Sequence, residues 1–381
     1  MTPKQQFGKM YLLRVTKLTN LSFSINKNMY KGYQPIRFPQ DELKHNSIVE
    51  WWYFNGHLED QKGNRYSFMN CLFKTNPQKV KLPFVKMIPL KDYYFSHHLV
   101  SDIKNKKFES FIYPIILVSA DSFLKEKLFV NYTSFPVVNY INFCIEEIEK
   151  FKYRVKTKSF DLVLTSNKKP LLANKTGFLN SGTGYENYYY SLTDLKTEGI
   201  ININGSQIKV TGKSWMDHQW ADTPYEKRIK WNWFSLQLDN NTQIMCYELL
   251  LKDKRIYLAN LIDKKGICKY TEEVAINPHG KVWTSKKTGA EYPLLWNIQI
   301  PLWKINLEIK PLIEDQEIIF GIINYWEGPI DAVGKISKKE INGKGFMELV
   351  GYPAHKTLIK QYEENFKNMF LEKIKQLLGR I

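Results

Sequence analysis

Apolar residues alternate with polar ones on both sides of Asn204-Gly205, with Ile201 and Ile203 leading in and Ile208 and Val210 leading out. Asn-Gly is the favoured two-residue hairpin turn because both positions accept positive φ. A period of two commits such a segment to sheet, since a helix would scatter the same residues around its circumference. The pattern recurs. Ile298 and Ile300 flank Gln299, and Ile305, Leu307 and Ile309 alternate with Asn306, Glu308 and Lys310, giving each strand one buried and one wet face. Earlier, Glu50-Trp51-Trp52-Tyr53-Phe54-Asn55-Gly56-His57-Leu58 is an aromatic run, Asp60 to Asn64 supplies a turn, and Tyr66, Phe68 and Leu72 interleave with Ser67, Met69 and Cys71. That spacing predicts another hairpin. Short strands with turns at near-regular intervals read as barrels or sandwiches, not as a parallel α/β fold.

Composition agrees. Aromatic residues reach 14%, an excess that suits pleated, half-buried surfaces and an apolar pocket. The 381 residues leave room for two domains of ordinary size. Sequence motifs for nucleotide binding (GxGxxG or a Walker loop) and for an α/β-hydrolase (GxSxG) are missing, so no cofactor is expected. The net charge of +17 invites a nucleic-acid reading, but the basic residues are mostly dispersed lysines without base-reading motifs. The expectation is no specific nucleic acid, with attraction to an anionic membrane surface as a further possibility. Cys71, Cys144, Cys246 and Cys268 form no CxxC cluster and read as buried thiols of a reducing compartment. Lysines and Arg14 interrupt every apolar run near the start, so the sequence reads as cytoplasmic, with no signal peptide or membrane span visible.

The end of the chain changes period. Ile359, Tyr362, Phe366, Met369, Phe370, Ile374 and Leu377 recur at helical spacing, and Gly379 suits a C-cap. Two readings stand: a helix packed on a barrel, or an amphipathic helix at a membrane surface.

Four segments together resemble the carotenoid 1,2-hydratase/AttH-like family. The first is Glu50 to Leu58; the second is His97-His98-Leu99-Val100-Ser101-Asp102. The third runs from Tyr188-Tyr189-Tyr190-Ser191 through Gly212-Lys213-Ser214-Trp215-Met216-Asp217-His218-Gln219-Trp220 to Trp231-Asn232-Trp233-Phe234. The fourth is Tyr325-Trp326-Glu327-Gly328-Pro329 followed by Gly345 to Tyr352. The resemblance implies an all-β protein of two consecutive lipocalin-like (calycin-type) antiparallel barrels. With the boundary it implies near Thr223-Pro224, the chain divides into an extension at 1–32 and domains at 33–222 and 223–353, followed by the helix read from periodicity at 354–381. The resemblance also implies a hydrophobic small-molecule partner, isoprenoid, polyene or lipid, and a hydratase or cyclase reaction for some members. Departures are visible. Gln219 stands where the family usually has Glu, His98 where an apolar residue is usual, and Ile244 to Tyr247 lacks the Tyr-x-Asp pair of true carotenoid hydratases.

Water addition to an alkene needs a proton delivered to carbon and a stabilised cation. Asp217 and His218 are the catalytic candidates, and adjacent strand positions send their side chains to opposite faces. Trp215, Trp220, Trp231 and Trp233 supply ring faces able to stabilise a cation by about 1–2 kcal/mol each when desolvated. Trp52, Tyr53 and His97 complete the ligand-contact set, although at least one tryptophan of the first segment suits a barrel plug. The alternative is structural: Asp217 and His218 satisfy backbone groups where the barrels join, and the protein carries a lipid without changing it. Glu50 reads as paired with Lys or Arg, and Glu327 as holding a turn. The seven histidines show no HxH or HExxH spacing, so no metal is expected.

Overall fold

The computed structural model describes residues 33–80, 91–134, 143–180, 186–223, 229–251, 254–320 and 323–354. These form two antiparallel sheets. In the first, β1 (Val49–Asp60), β2 (Arg65–Thr75), β3 (Tyr93–Asp102) and β4 (Lys107–Tyr113) make one meander. A second meander follows with β5 (Ile116–Val118), β6 (Phe129–Ser134), β7 (Phe143–Glu149), β8 (Lys152–Lys156) and β9 (Phe160–Ser166). The short β10 (Leu171–Leu172) and β11 (Phe178–Leu179) pair with β12 (Asn187–Ile203), which turns at Asn204-Gly205 into β13 (Ser206–Ala221). This long hairpin joins the meanders, in the order β4-β3-β2-β1-β13-β12-β9-β8-β7-β6-β5. The predicted turn is in place: Asn204 and Gly205 have φ of 50° and 78°.

The second sheet contains β14 (Ile229–Leu238), β15 (Gln243–Leu251), β16 (Lys254–Ile262) and β17 (Cys268–Thr271). It continues through β18 (Ala275–Thr284), β19 (Glu291–Ile300), β20 (Ile305–Pro311), β21 (Glu317–Phe320), β22 (Ile323–Ile336) and β23 (Lys339–Val350). Its order is β17-β16-β15-β14-β23-β22-β20-β19-β18, with β21 on β22. In both sheets the two edge strands are consecutive in sequence. Only residues 114–115 separate β4 from β5, and only residues 272–274 separate β17 from β18. At 3.8 Å per residue, such links force each sheet to curl until its edges come close. Each is therefore near-barrel in form, the lipocalin-like arrangement.

Three apolar clusters follow from strand alternation. Trp52, Phe54 and Leu58 of β1 point into the first sheet's interior with Tyr153, Leu162 and Met216. Phe234, Trp296, Leu307 and Trp326 fill the second. The odd positions of β1 join a third cluster, in which Tyr53, Met69 and Trp215 of the first sheet meet Trp233, Met245 and Phe346 of the second. Strand β1 is thus covered on both faces, unlike a strand with one wet side. Hence its unbroken aromatic run. Trp52 plugs the first interior, fully buried, and its Nε1 donates to the Glu42 carbonyl at 3.0 Å. Hydrogen bonds fasten the sheets: His57 Nε2 donates to the Gly345 carbonyl at 2.8 Å, and Gln237 Nε2 to the Ser214 carbonyl at 2.9 Å. The four cysteines carry free thiols, Cys71 and Cys246 buried, Cys144 and Cys268 partly exposed. Among the described residues, no helix is long and apolar enough to cross a membrane. The extension over 1–32 and the helix read from Ile359 to Leu377 lie outside the described residues.

Candidate functional site

Where the two sheets meet, they line a partly open cavity of about 300 Å³. Trp51, Tyr53, Phe73, His97, Tyr189 and Asp217 line it from the first sheet. Trp231, Trp233, Tyr247, Tyr325, Glu327 and Glu348 face them from the second. Register explains the wall. Tyr53 on β1 and Ser191 on β12 both pair with Asp217 on β13, so the three side chains project together. Glu327 on β22 pairs with Glu348 on β23, which in turn pairs with Trp233 on β14.

Asp217, Glu327 and Glu348 present carboxyl groups to this aromatic space, and Glu50, ion-paired with Lys74, is also among its lining residues. Asp217 Oδ1 accepts hydrogen bonds from Ser191 Oγ and Trp215 Nε1, each at 2.6 Å, and Oδ2 accepts from Tyr189 OH at 2.9 Å. Trp233 Nε1 donates to Tyr189 OH at 3.0 Å, so the Tyr189 proton is directed at Asp217. Burial penalises the charged form and outweighs these three bonds, pushing the Asp217 carboxyl up to about 7. Glu327 Oε1 accepts from Tyr53 OH at 2.7 Å. Burial, then the neighbouring Glu348 carboxyl, pushes Glu327 well above the usual carboxylate range, which favours its protonated form. Like charges directly opposite on a ladder oppose each other, and one proton on the pair relieves that. Glu348 is partly exposed; its Oε2 accepts from Trp231 Nε1 at 3.0 Å, and burial pushes it up to about 7. His97 contacts Tyr325 OH through Nε2 at 2.6 Å, and burial holds it down to about 3, hence neutral.

His218 lies on the other face of β13. There Glu50, fully buried, accepts from Lys74 Nζ at 2.9 Å, His218 Nε2 at 3.0 Å, His45 Nδ1 at 2.7 Å and Ser47 Oγ at 3.1 Å. Burial would raise the Glu50 carboxyl, but the bonds from His218 and His45 hold it well below the usual carboxylate range. The expected pairing of Glu50 with a lysine is present. Burial holds His218 down to about 4, so it is a neutral donor stacked on Trp52, with ring centroids 4.7 Å apart. His45, Glu50 and His218 bring three ligand-type atoms within 4.8 Å of one another, a grouping that histidine spacing did not show. Lys74 already supplies its positive charge.

Of the residues chosen from sequence, Asp217, Tyr53, His97, Trp231 and Trp233 line the cavity. Trp215 sits behind Asp217 as a hydrogen-bond donor. Trp52, Trp220 and His218 do not reach the cavity, because even-numbered positions here face the first sheet's interior, where Trp220 stacks on His45 at 3.8 Å. The turn reading of Glu327 is corrected: it lies within strand β22, aimed at the cavity. Glu348 and Tyr189 went unnoticed. Glu348 interrupts the apolar alternation of Phe346 and Val350, a signal that a charged residue shares their buried face.

A model of the AttH-like family matches residues 30–352. The dehydratase asqC of Emericella nidulans is 22% identical over 215 residues, covering 50% of this chain and 58% of the relative, so the chain spans little more than half of that relative's length. Among solved structures, an AttH-type protein of Nitrosomonas europaea is 25% identical with a TM-score of 0.68, covering 85% of this chain and 99% of the other. Kievitone hydratase of Nectria haematococca is 16% identical with a TM-score of 0.65, covering 85% and 94%. CghA, at 10% identity and a TM-score of 0.54, shares the fold over 86% of this chain and 96% of its own.

Proposed function

This chain belongs to the AttH-like family, and on that premise we propose that the cavity between its sheets takes up a largely apolar, isoprenoid- or polyene-like molecule and adds or removes water by acid catalysis. The observation that carries this reading is the convergence of the Asp217, Glu327 and Glu348 carboxyl groups, contributed by both walls, on an aromatic-lined cavity. The names of two relatives, a dehydratase and a hydratase, support the same reaction class. Residues 33–222 and 223–353 would be the two domains, each supplying one wall.

In hydration, Asp217 transfers its proton to an alkene carbon, leaving a cation on the neighbouring carbon. The ring faces of Trp231 and Trp233 stabilise that cation. Water attacks it and loses a proton to the Glu348 carboxylate, and proton exchange between the two acids restores the starting state. Dehydration is the reverse. A carboxyl near 7 suits both directions at neutral pH. His218, on the far face, would orient the strand without touching the substrate.

A carrier reading has one observation in its favour: both Asp217 oxygens are already held, by Ser191, Trp215 and Tyr189. Incubating the protein with a phenol bearing a prenyl side chain, or with lycopene, in 18O-labelled water separates the two. The enzyme reading expects a product heavier by one labelled water. Asp217→Asn should abolish that product while quenching of tryptophan emission by the same compound persists. Saturable quenching without product, for the wild type and across both compounds, would establish carriage instead.

A further inference from the structure

We propose that this cavity selects neutral ligands whose polar end is a hydroxyl or carbonyl, and rejects carboxylates such as fatty acids. The inference rests on the reading of the cavity as the ligand site, not on any turnover, and holds for an enzyme and a carrier alike.

The surface and the cavity differ in sign. The whole chain carries +17, which attracts anions from solution. Inside, beside the Glu50–Lys74 ion pair, carboxyl groups come from three strands on both walls: Asp217 on β13, Glu327 on β22 and Glu348 on β23. Among the described lining residues the one lysine is Lys74, buried and ion-paired with Glu50 at 2.9 Å. His97 is engaged with Tyr325 OH. A carboxylate entering this space meets carboxyl groups on either side and no described cation free to pair with it. At about 6 Å and an effective dielectric constant near 20, one like-charged neighbour costs about 3 kcal/mol.

A neutral oxygen meets the opposite situation. Glu327 has Oε1 occupied by Tyr53, and its surroundings favour the protonated form, whose O–H is a donor for a ligand carbonyl or hydroxyl. Glu348, with Oε2 taken by Trp231 Nε1, is the acceptor for a ligand hydroxyl. A donor and an acceptor stand as cross-strand partners on one wall, opposite the rings of Trp51 and Phe73. That pairing fits an alcohol or ketone at the end of a greasy chain.

The test uses two matched pairs, retinol with retinoic acid and oleyl alcohol with oleate, at about pH 8, well above the usual carboxylate range. Quenching of tryptophan emission reports the polyenes, and displacement of retinol reports the aliphatic pair. We expect each alcohol to bind at least about tenfold more tightly than its acid. Glu348→Gln and Glu327→Gln, made separately and checked by melting temperature, should narrow that ratio, Glu348→Gln more because Glu348 is the ionised partner. Equal or tighter binding of the acids, or a ratio unchanged in both variants, would overturn the proposal. So would failure of all four compounds to bind. Absence of hydration activity would leave it standing, since only the enzyme reading depends on turnover.

Discussion

Asp217 and Glu348 have their protonated forms favoured for the same reason: burial penalises the charge, and too few donors compensate. Their effect on stability has a definite sign. An unfolded Glu titrates near about 4.3, whereas Glu348 in the fold is pushed up to about 7. The folded state holds that proton more tightly. The cost of ionising Glu348 is therefore absent below the unfolded value and fully present above the folded one. Glu348→Gln should accordingly leave the melting temperature nearly unchanged at about pH 4 and raise it progressively as the pH passes about 7, by the equivalent of at most about 4 kcal/mol. A variant less stable than the wild type at alkaline pH would show that Trp231 needs the charge. Glu50 behaves oppositely. Held low by His218, His45 and Lys74, it stabilises the ionised, paired form.

At the scale of strands, the sequence carried much of the fold. Asn204-Gly205 located the long hairpin, because only a tight turn with two positive φ angles suits that pair. Alternation in Ile298 to Ile309 placed β19 and β20 with their apolar side inward. The site was only half legible. Asp217, Trp231 and Trp233 stood out as residue types, but parity along β13 decides which face each occupies. Nothing local says that the odd face, with Asp217, meets the second sheet. Glu327 and Glu348 become neighbours through ladder register between strands, which a linear reading does not supply. Close strand approach makes a further prediction. A Cβ on Gly345 would lie 1.8 Å from the Ser235 carbonyl oxygen, and the Gly345 carbonyl also receives the His57 bond. Gly345→Ala should push β23 from β14, cost about 2 kcal/mol or more, and lower the denaturation midpoint without altering the far-UV spectrum. An unchanged midpoint would mean that the strands can part freely there.

For the whole molecule, the principal consequence is where a ligand resides. A lipocalin-like barrel offers its own interior as a pocket, but both interiors here are filled: Trp52, Tyr153 and Tyr190 occupy the first, Trp296 and Trp326 the second. The cavity between the sheets draws its polar groups from both. Neither sheet alone could assemble Asp217 with Glu327 and Glu348. A crystal structure of the protein soaked with retinol tests this most directly. The account predicts electron density between Trp231, Trp233 and Tyr53, with the hydroxyl end at Glu327 and Glu348. Density inside the first sheet, against Trp52 and Tyr190, would contradict it.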